Sequence, residues 1–296
     1  MASQFIFENY PLTPLELVAI RMPLAGILLF LIFRPIPPLT GLLSFGLFSV
    51  IGLWLVQFTY FLTIDTSDAA TATLFQFLAL PMIAVYEIGA SRTRATFAGV
   101  AAVLLASLGT AELAAGTSNG SLALIIAPVA LIAGLVSAAS AAYYTIRSKN
   151  LIPAYGSVKL TTWGLLIGST VAVPAGALSS ASRVSPGAGT VELVALVLFV
   201  VIFGTLTTFL LYFKGLERIT PTEAGITSAM EPITAAVLSF FLLHVALSPF
   251  QYLGGFLIMA AVALIVLRSN SADRWKKEDA PYRRKNEGEI DRYGNN

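Results

Sequence analysis

Polar and aromatic side chains recur at helical spacing inside long apolar segments of the chain. The candidate members are Trp54 and Gln57, Thr73 and Gln76, Ser140 and Tyr144, Thr208 and Tyr212, and Thr227 and Glu231. Residues at i, i+3 and i+4 share one face of a helix. Five helices with one such stripe each could enclose a substrate cavity with hydrogen-bonding groups and aromatic walls. Serine and threonine also join helices or bond their own backbone, so the two glutamines are the stronger candidates.

Two charged side chains fall well inside apolar segments. Glu231 directly precedes Pro232, which frees a backbone carbonyl and can kink a helix. A carboxylate at that depth suits either proton coupling, a cationic substrate, or a structural bond to backbone near the kink. For Arg21 the expected role is snorkelling to the membrane surface or pairing with Glu16, and a contact with a substrate carboxylate is the alternative.

The composition indicates an integral membrane protein. Of 296 residues, 56% are hydrophobic and 11% are charged, and the mean hydropathy is +0.81. Soluble domains carry roughly 25% charged residues. The chain has no cysteine and one histidine, and it shows no phosphate-binding loop and no catalytic constellation. We therefore expect no enzyme activity, no metal, no cofactor and no nucleic-acid partner.

Apolar runs predict an all-α protein with about nine membrane-spanning helices. The predicted spans are 15–33, 42–64, 69–90, 95–114, 122–146, 158–178, 191–213, 222–243 and 249–268. The breaks between them are short, so neighbouring helices run antiparallel. Residues 269–296 are polar and of mixed charge, which predicts a disordered tail able to rest on lipid headgroups.

Basic residues concentrate in alternate breaks between the spans. They are Arg34, Arg92, Arg94, Arg147, Lys149, Lys159, Lys214 and Arg218, followed by the basic residues of the tail. Because cytoplasmic loops carry an excess of Lys and Arg, this pattern places the C-terminus in the cytoplasm and residues 1–14 outside. The expected location is the inner cell membrane.

The two halves of the chain share landmarks in the same order. Gly26 and Gly168 stand 142 residues apart, Tyr60-Phe61 and Tyr212-Phe213 stand 152 apart, and Pro81 and Pro232 stand 151 apart. Since each half would hold an odd number of spans, the two halves are predicted to be inverted in the membrane. Inverted repeats are common in secondary transporters, with the substrate site between them.

The first repeat lacks a counterpart for the span 122–146. With an offset of 142, that counterpart falls mostly before residue 1. We therefore expect ten helices in the full protein, with residues 1–116 forming an N-terminally incomplete first repeat and residues 121–268 the second. A nine-helix variant whose gap is closed by the tail or a second subunit is the alternative.

The chain resembles the EamA-type transporters of the drug/metabolite transporter superfamily. The resemblance rests on Pro14-Leu15-Glu16-Leu17 leading to Arg21, on residues 220–224 running into Glu231-Pro232, and on Leu247-Ser248-Pro249 with residues 254–258. It implies ten helices in two inverted five-helix repeats. Family members often carry Gly-Glu shortly before the Leu-Ser-Pro, where this chain has His244-Val245, so no role of that acid is carried over.

Together these features predict a secondary transporter, acting as an exporter of a small organic metabolite or drug-like solute by alternating access. Two other classes stay open: an integral-membrane enzyme acting on lipid, which would need clustered acids or histidines near one interface, and a membrane scaffold without transport. The small residues Gly254, Gly255, Ala260 and Ala261 suit close packing of the last span, either on its repeat mate or on a second copy in a homodimer.

Overall fold

The computed structural model describes residues 2–38, 41–90, 126–178, 190–218 and 252–261, with short pieces between 101 and 124 and at 263–264. Its helices are α1 (Ala2–Asn9), α2 (Pro14–Phe33), α3 (Leu42–Thr66), α4 (Ala69–Gln76), α5 (Ala79–Ala90), α6 (Pro128–Tyr155), α7 (Ser157–Leu178), α8 (Val191–Leu216) and α9 (Tyr252–Ala261). Of these described helices, α2, α3, α6, α7 and α8 are long and apolar enough to cross a membrane. The predicted span 222–243, most of 95–114 and the tail lie outside the described residues, so the total of nine stays a prediction.

The described spans are all helical, as an all-α membrane protein requires, and a short hairpin lies in the break before the fifth predicted span. Strands β1 (Ala115–Ser118) and β2 (Ser121–Leu124) pair antiparallel, with Ser118 opposite Ser121. The helix predicted to begin at residue 122 therefore begins at Pro128 and continues to Tyr155. Proline suits the first helical turn because its missing N–H has no partner there. Gly156, with φ of 76°, ends the helix in a conformation that glycine adopts readily.

Local sequence also sets the ends of α2. The Thr13 side chain accepts a hydrogen bond from the Glu16 N–H, and the Glu16 carboxylate accepts one from the Thr13 N–H at 2.8 Å. This capping box satisfies two backbone donors at the helix start. Arg34 ends the helix in the left-handed region, and the extended segment before Pro37 and Pro38 follows.

The predicted span 69–90 is divided into two helices. Helix α4 ends at Gln76, a turn covers Phe77 and Leu78, and α5 begins at Ala79. Pro81 has no N–H to donate to the Phe77 carbonyl, so the regular helical pattern cannot pass through this point. The Leu80 N–H bonds the Phe77 carbonyl instead, at 3.1 Å.

Contacts at both ends show that the long helices run antiparallel. At the end where α2 starts, which we call the Pro14 end, the Ala69 N–H donates to Gln4, and Gly176 lies close to Leu15. At the opposite end, which we call the Phe33 end, the Ser157 N–H donates to Glu217 at 3.0 Å. Arg147 also donates to Ser44 there.

Helices α2 and α7 pack together along their length. Two glycines permit the close approach: a Cβ at Gly26 would lie 2.9 Å from the Leu166 side chain, and one at Gly168 would lie 2.6 Å from Met22. Because the two glycines occupy matching positions in the predicted repeat, each helix presents its glycine to the other. Leu17, Leu29 and Leu165 are fully buried in the adjoining core.

Two π-helical turns interrupt long helices at corresponding positions. One covers Phe48–Trp54 within α3, and the other covers Ile202–Thr207 within α8. Their starts stand 154 residues apart, close to the 152 that separate the two Tyr-Phe pairs. Insertions of this kind are often found next to functional sites. Each lies directly before the segment that carries the Tyr-Phe pair.

The outward faces of the long helices are apolar. Leu31, Leu43, Phe203 and Leu211 are exposed on them. Exposed apolar side chains on membrane-long helices suit contact with lipid, where no water is present to favour polar groups.

The small residues of the last span make their close contact within the chain. A Cβ at Gly109 would lie 2.6 Å from the Gly254 carbonyl oxygen. Gly109 belongs to the predicted span 95–114, which is the repeat mate of the last span. Close packing on the repeat mate, one of the two alternatives for these residues, is therefore the one that the described contacts favour.

Candidate functional site

Arg21 lies inside the bundle and has a neutral partner. It stands seven residues after Pro14, about 10 Å along α2 from the Pro14 end. Its side chain is 6% exposed, its Nε donates to Gln57 Oε1 at 2.8 Å, and its guanidinium carbon lies 4.3 Å from the centre of the Phe61 ring. The expectation that Arg21 snorkels outward or pairs with Glu16 is wrong, because Glu16 is used in the helix cap and lies on another face of α2.

The bond from Arg21 fixes the orientation of the Gln57 amide. Arginine has no acceptor, so the oxygen of Gln57 must face Arg21 and its Nε2 must face elsewhere. Gln57 is 3% exposed, and its Nε2 is buried without a hydrogen-bond partner. Trp54, one turn earlier on α3, buries its Nε1 in the same way. An unsatisfied buried donor costs roughly 1–3 kcal/mol, so two in neighbouring turns indicate a place for an acceptor from outside the described residues.

Tyr60 and Thr73 extend this site toward α4. Their hydroxyl oxygens lie 3.0 Å apart, and Thr73 Oγ1 donates to the Ala69 carbonyl at 2.7 Å. The single hydroxyl proton of Thr73 is thereby used, so Tyr60 donates to Thr73. We call Arg21, Gln57, Tyr60, Phe61 and Thr73 the polar cluster.

A second cluster lies nearer the Phe33 end. Tyr144 and Tyr212 meet edge to face with ring centres 5.6 Å apart, and Tyr144 contacts Phe213 at 6.1 Å. Thr145 Oγ1 donates to the Ala141 carbonyl at 2.8 Å and lies 2.9 Å from the Tyr212 hydroxyl, which therefore donates to it. We call Tyr144, Thr145, Phe209, Tyr212 and Phe213 the aromatic cluster.

The two clusters are joined by packing. Trp54, Tyr144 and Tyr212 all pack against one buried core that includes Phe48, Phe61 and Phe213. A Cβ at Gly52 would lie 2.9 Å from the Tyr144 Cβ, so α3 and α6 come into close contact between the clusters. The structure thus brings the predicted residues together as two neighbouring groups.

The remaining predicted residues are not members of either cluster. Ser140 is buried on α6 one turn before Tyr144, and Gln76 is half-buried at the end of α4. Thr208 is exposed and donates to the Phe203 carbonyl of its own helix at 2.6 Å. Thr227 and Glu231 lie outside the described residues. A single cavity lined by all ten residues stays a prediction.

The sequence interpretation missed Tyr60 and Thr145 as site residues. Tyr60 does carry a signal, because Tyr60-Phe61 recurs as Tyr212-Phe213 in the second half. Thr145 carries none: it is adjacent to Tyr144 and falls off the stripe at helical spacing. Only the packing of α6 against α8 brings it to Tyr212.

The ends of the bundle carry opposite charge in the described part of the chain. The Pro14 end has acids, of which Glu192 accepts a hydrogen bond from Tyr10; burial and this carboxylate raise the pKa of Tyr10. The Phe33 end has the bases Arg147 and Lys214 near its helix termini. Hydrogen bonds from the Ser157 side chain and backbone lower the pKa of Glu217 there. Among the described residues, no group of three or more histidines and acids could hold a metal ion.

Apolar helices of membrane length indicate a multi-pass membrane protein, in which a buried guanidinium and amide mark a candidate substrate or ion site. The model of the EamA-like transporter family matches residues 128–267. Over 282 residues the chain is 33% identical to a Salmonella typhimurium protein named "Uncharacterized inner membrane transporter YicL", covering 93% of this chain and 92% of that protein. The chain belongs to the EamA-like transporter family.

A solved structure is similar in fold. A crystal structure of a protein matches with a TM-score of 0.62 at 18% sequence identity, covering 90% of this chain and 92% of that one. At this identity the match establishes the shared fold alone.

Proposed function

We propose that this transporter is a secondary transporter that moves a small organic solute by alternating access between two inverted repeats, residues 1–116 and 121–268. The observation that best supports this proposal is that the buried polar cluster lies next to the aromatic cluster. Helices α2 and α3 of the first half supply most of the polar cluster, and α6 and α8 of the second half supply the aromatic cluster. A solute between them would contact both halves, as alternating access requires.

The repeat itself is supported by two pairs of matching features. The π-helical turns of α3 and α8 start 154 residues apart, and Gly26 and Gly168, 142 residues apart, face each other's helices. Both spacings are close to those of the landmarks that the two halves share in sequence.

We further propose that the Phe33 end faces the cytoplasm of a cell with an inner membrane. Arg34, Lys159 and Arg218 lie there with Arg147 and Lys214, and cytoplasmic loops carry such an excess of bases. The relative from Salmonella typhimurium is named an inner membrane transporter. The outward direction of transport is the one that the resemblance to drug/metabolite transporters implies.

The decisive experiment is transport in reconstituted vesicles. Purified protein in vesicles should move at least one solute from a broad panel of metabolites and drug-like compounds faster than empty vesicles do. Gln57→Ala should weaken that transport at normal expression. Failure of every solute to cross faster than in empty vesicles contradicts the proposal and favours a scaffold role, whereas unchanged transport by Gln57→Ala would place Gln57 outside the solute path.

Glu231 is our candidate for proton coupling, although it lies outside the described residues. If its carboxyl exchanges a proton during transport, Glu231→Gln should lower the rate and remove its dependence on a pH gradient. A Glu231→Gln protein with wild-type rates at every pH gradient would leave only a structural role. Gln57→Ala is the matched control, since it should change affinity and keep the pH dependence.

A further inference from the structure

We propose that Arg21 and Gln57 bind the carboxylate of an anionic organic solute. The inference deepens the proposed transport function by naming the chemical class of the substrate. It rests on three properties of the polar cluster: an uncompensated positive charge, an excess of hydrogen-bond donors, and apolar walls.

The charge of Arg21 is not balanced by an acid in the part of the chain that the structure describes. Its contacts are the amide oxygen of Gln57 and the ring of Phe61, which are both neutral. Four acids at the Pro14 end are engaged elsewhere: Glu8 with Gln4, Glu16 with Thr13, Asp68 with Thr71, and Glu192 with Tyr10. A fifth, Asp65, has an exposed side chain near the end of α3. A buried charge without a counter-ion is costly, and a bound anion would neutralise it.

The unpaired polar atoms around this charge are donors. Gln57 Nε2 and Trp54 Nε1 are buried without partners, and both carry N–H groups. Arg21 uses its Nε for Gln57, which leaves the two terminal nitrogens of a planar fork that matches a carboxylate. The positive charge of Arg21 repels a cationic amine, and a neutral amide brings only one acceptor oxygen to these donors. Two carboxylate oxygens would satisfy the fork and an amide N–H together.

The walls favour an apolar body behind the carboxylate. Phe61 covers one face of the guanidinium, and Trp54 stacks on Phe58 with ring centres 5.8 Å apart. The aromatic cluster continues this surface toward the Phe33 end. A small inorganic anion would leave these rings without contact, so an organic acid fits the cluster better than phosphate does.

Matched pairs of solutes test the proposal by binding. Purified wild-type protein is titrated with 3-phenylpropionate, hexanoate and indole-3-acetate, with the amide of each, with 3-phenylpropylamine and with inorganic phosphate. We expect at least one acid to bind about tenfold or more tightly than its amide, because a hydrogen bond to a charged group is the stronger one. A panel in which no acid binds more tightly than its amide overturns the proposal.

Variants then locate the selectivity. Arg21→Gln should bring acid and amide to equal affinity, and Lys214→Gln, which removes an exposed cation 5.8 Å from the Phe33 ring, should keep the preference for acids. Gln57→Glu places a carboxylate beside Arg21 and should give a folded protein that no longer selects acids. Selectivity that survives in both Arg21→Gln and Gln57→Glu contradicts the proposal. The proposal is also contradicted if the wild type shows no preference for acids and Glu231→Gln does, because Glu231 would then be the partner of Arg21.

Transport measured on the same protein separates this inference from the proposed function. Vesicles that move only amines or neutral solutes would leave a transporter and overturn the carboxylate site. Acid-selective binding with no transport of any solute would retain the site and contradict the transport function.

Discussion

The polar and aromatic clusters each contain one of the two Tyr-Phe pairs that stand 152 residues apart, yet they differ in chemistry. In both, a tyrosine hydroxyl donates to a threonine hydroxyl that itself donates to the carbonyl four residues back: Tyr60 to Thr73, and Tyr212 to Thr145. In the first half the following phenylalanine, Phe61, lies under a guanidinium. In the second half it lies against the rings of Tyr144 and Phe48.

The difference follows from two positions. At the offset of 142, Arg21 corresponds to Trp163, which donates to the Pro35 carbonyl at 3.0 Å and packs on Phe30. At the offset of 152, Gln57 corresponds to Phe209. In the predicted repeat, the first half thus has a charge and an amide where the second has aromatic rings. The unshared pair is where specificity for a solute would lie.

Removing the charge should have the largest effect on function. Arg21→Met should lower the affinity for a transported acid by about tenfold to a hundredfold, because hydrogen bonds to a charged group are lost. The melting temperature should stay equal or rise, since an unbalanced buried charge disappears. Trp163→Phe should do the reverse: it loses the bond to Pro35, about 0.5–1.5 kcal/mol, and keeps the affinity. Transport and thermal unfolding are measured for both variants. If both lose affinity and stability to the same extent, Arg21 and Trp163 do not differ in function.

Disturbing the junction between the clusters should come next. In Gly52→Ala the added Cβ would lie 2.9 Å from the Tyr144 Cβ, so α3 and α6 must move apart, at about 1–3 kcal/mol. Gly46→Ala on the same helix meets nothing within 4 Å and should be neutral or stabilising. Thermal unfolding of both proteins compares them directly. A Gly52→Ala protein as stable as Gly46→Ala would mean that the two helices do not pack closely here.

The bonds from Tyr60 to Thr73 and from Tyr212 to Thr145 should contribute equally to stability, but only the loss of the first should weaken solute binding. Tyr60→Phe and Tyr212→Phe each remove one hydroxyl pair, at about 0.5–1.5 kcal/mol. Tyr60 lies beside Phe61 in the polar cluster, so its loss should also weaken acid binding, whereas the loss of the Tyr212 hydroxyl should leave binding of the charged group intact. Thermal unfolding and solute titration are measured for both variants. An equal loss of acid binding in Tyr60→Phe and Tyr212→Phe would show that Tyr212 also contributes to charge recognition.

The sequence predicted much of this fold because the membrane imposes simple rules. Long apolar runs must be helices, so α2, α3, α7 and α8 were expected within about three residues of their ends. The helix α6 was expected at 122–146 and lies at Pro128–Tyr155, six residues later at its start and nine later at its end. The break after Gln76 and the hairpin before Pro128 were not expected. Both depend on how a proline and a turn act locally, and hydropathy averages over such details.

Several residues of the candidate site could be predicted from the sequence, but their contact partners could not. Helical spacing selected Trp54, Gln57, Tyr144 and Tyr212, since it reports which residues share a face. It cannot report which helix lies opposite, so Arg21 was assigned to Glu16, five residues away on its own helix, when its partner is Gln57, 36 residues away. The same limit hid the bond from Tyr212 to Thr145.

The smallest predicted effect concerns Glu217, which lies at the Phe33 end and belongs to neither cluster. Its carboxylate accepts the Ser157 N–H at the start of α7, where an acid favours the helix N-terminus. The side chain is exposed, so solvent screening limits its contribution to about 0.5 kcal/mol or less. Glu217→Gln keeps the shape and removes the charge.

The pH dependence of this effect has a definite sign. The Ser157 hydrogen bonds lower the pKa of Glu217 in the folded protein below its usual value of 4.5. A carboxyl whose folded pKa is depressed adds stability above its unfolded pKa, and that stability is lost as the pH falls through the folded pKa. The wild type should therefore melt slightly above Glu217→Gln at pH 7, and the difference should vanish once the pH falls below the lowered folded pKa, where both side chains are neutral. A difference that persists in acid would show that the amide weakens the α7 cap for reasons other than charge.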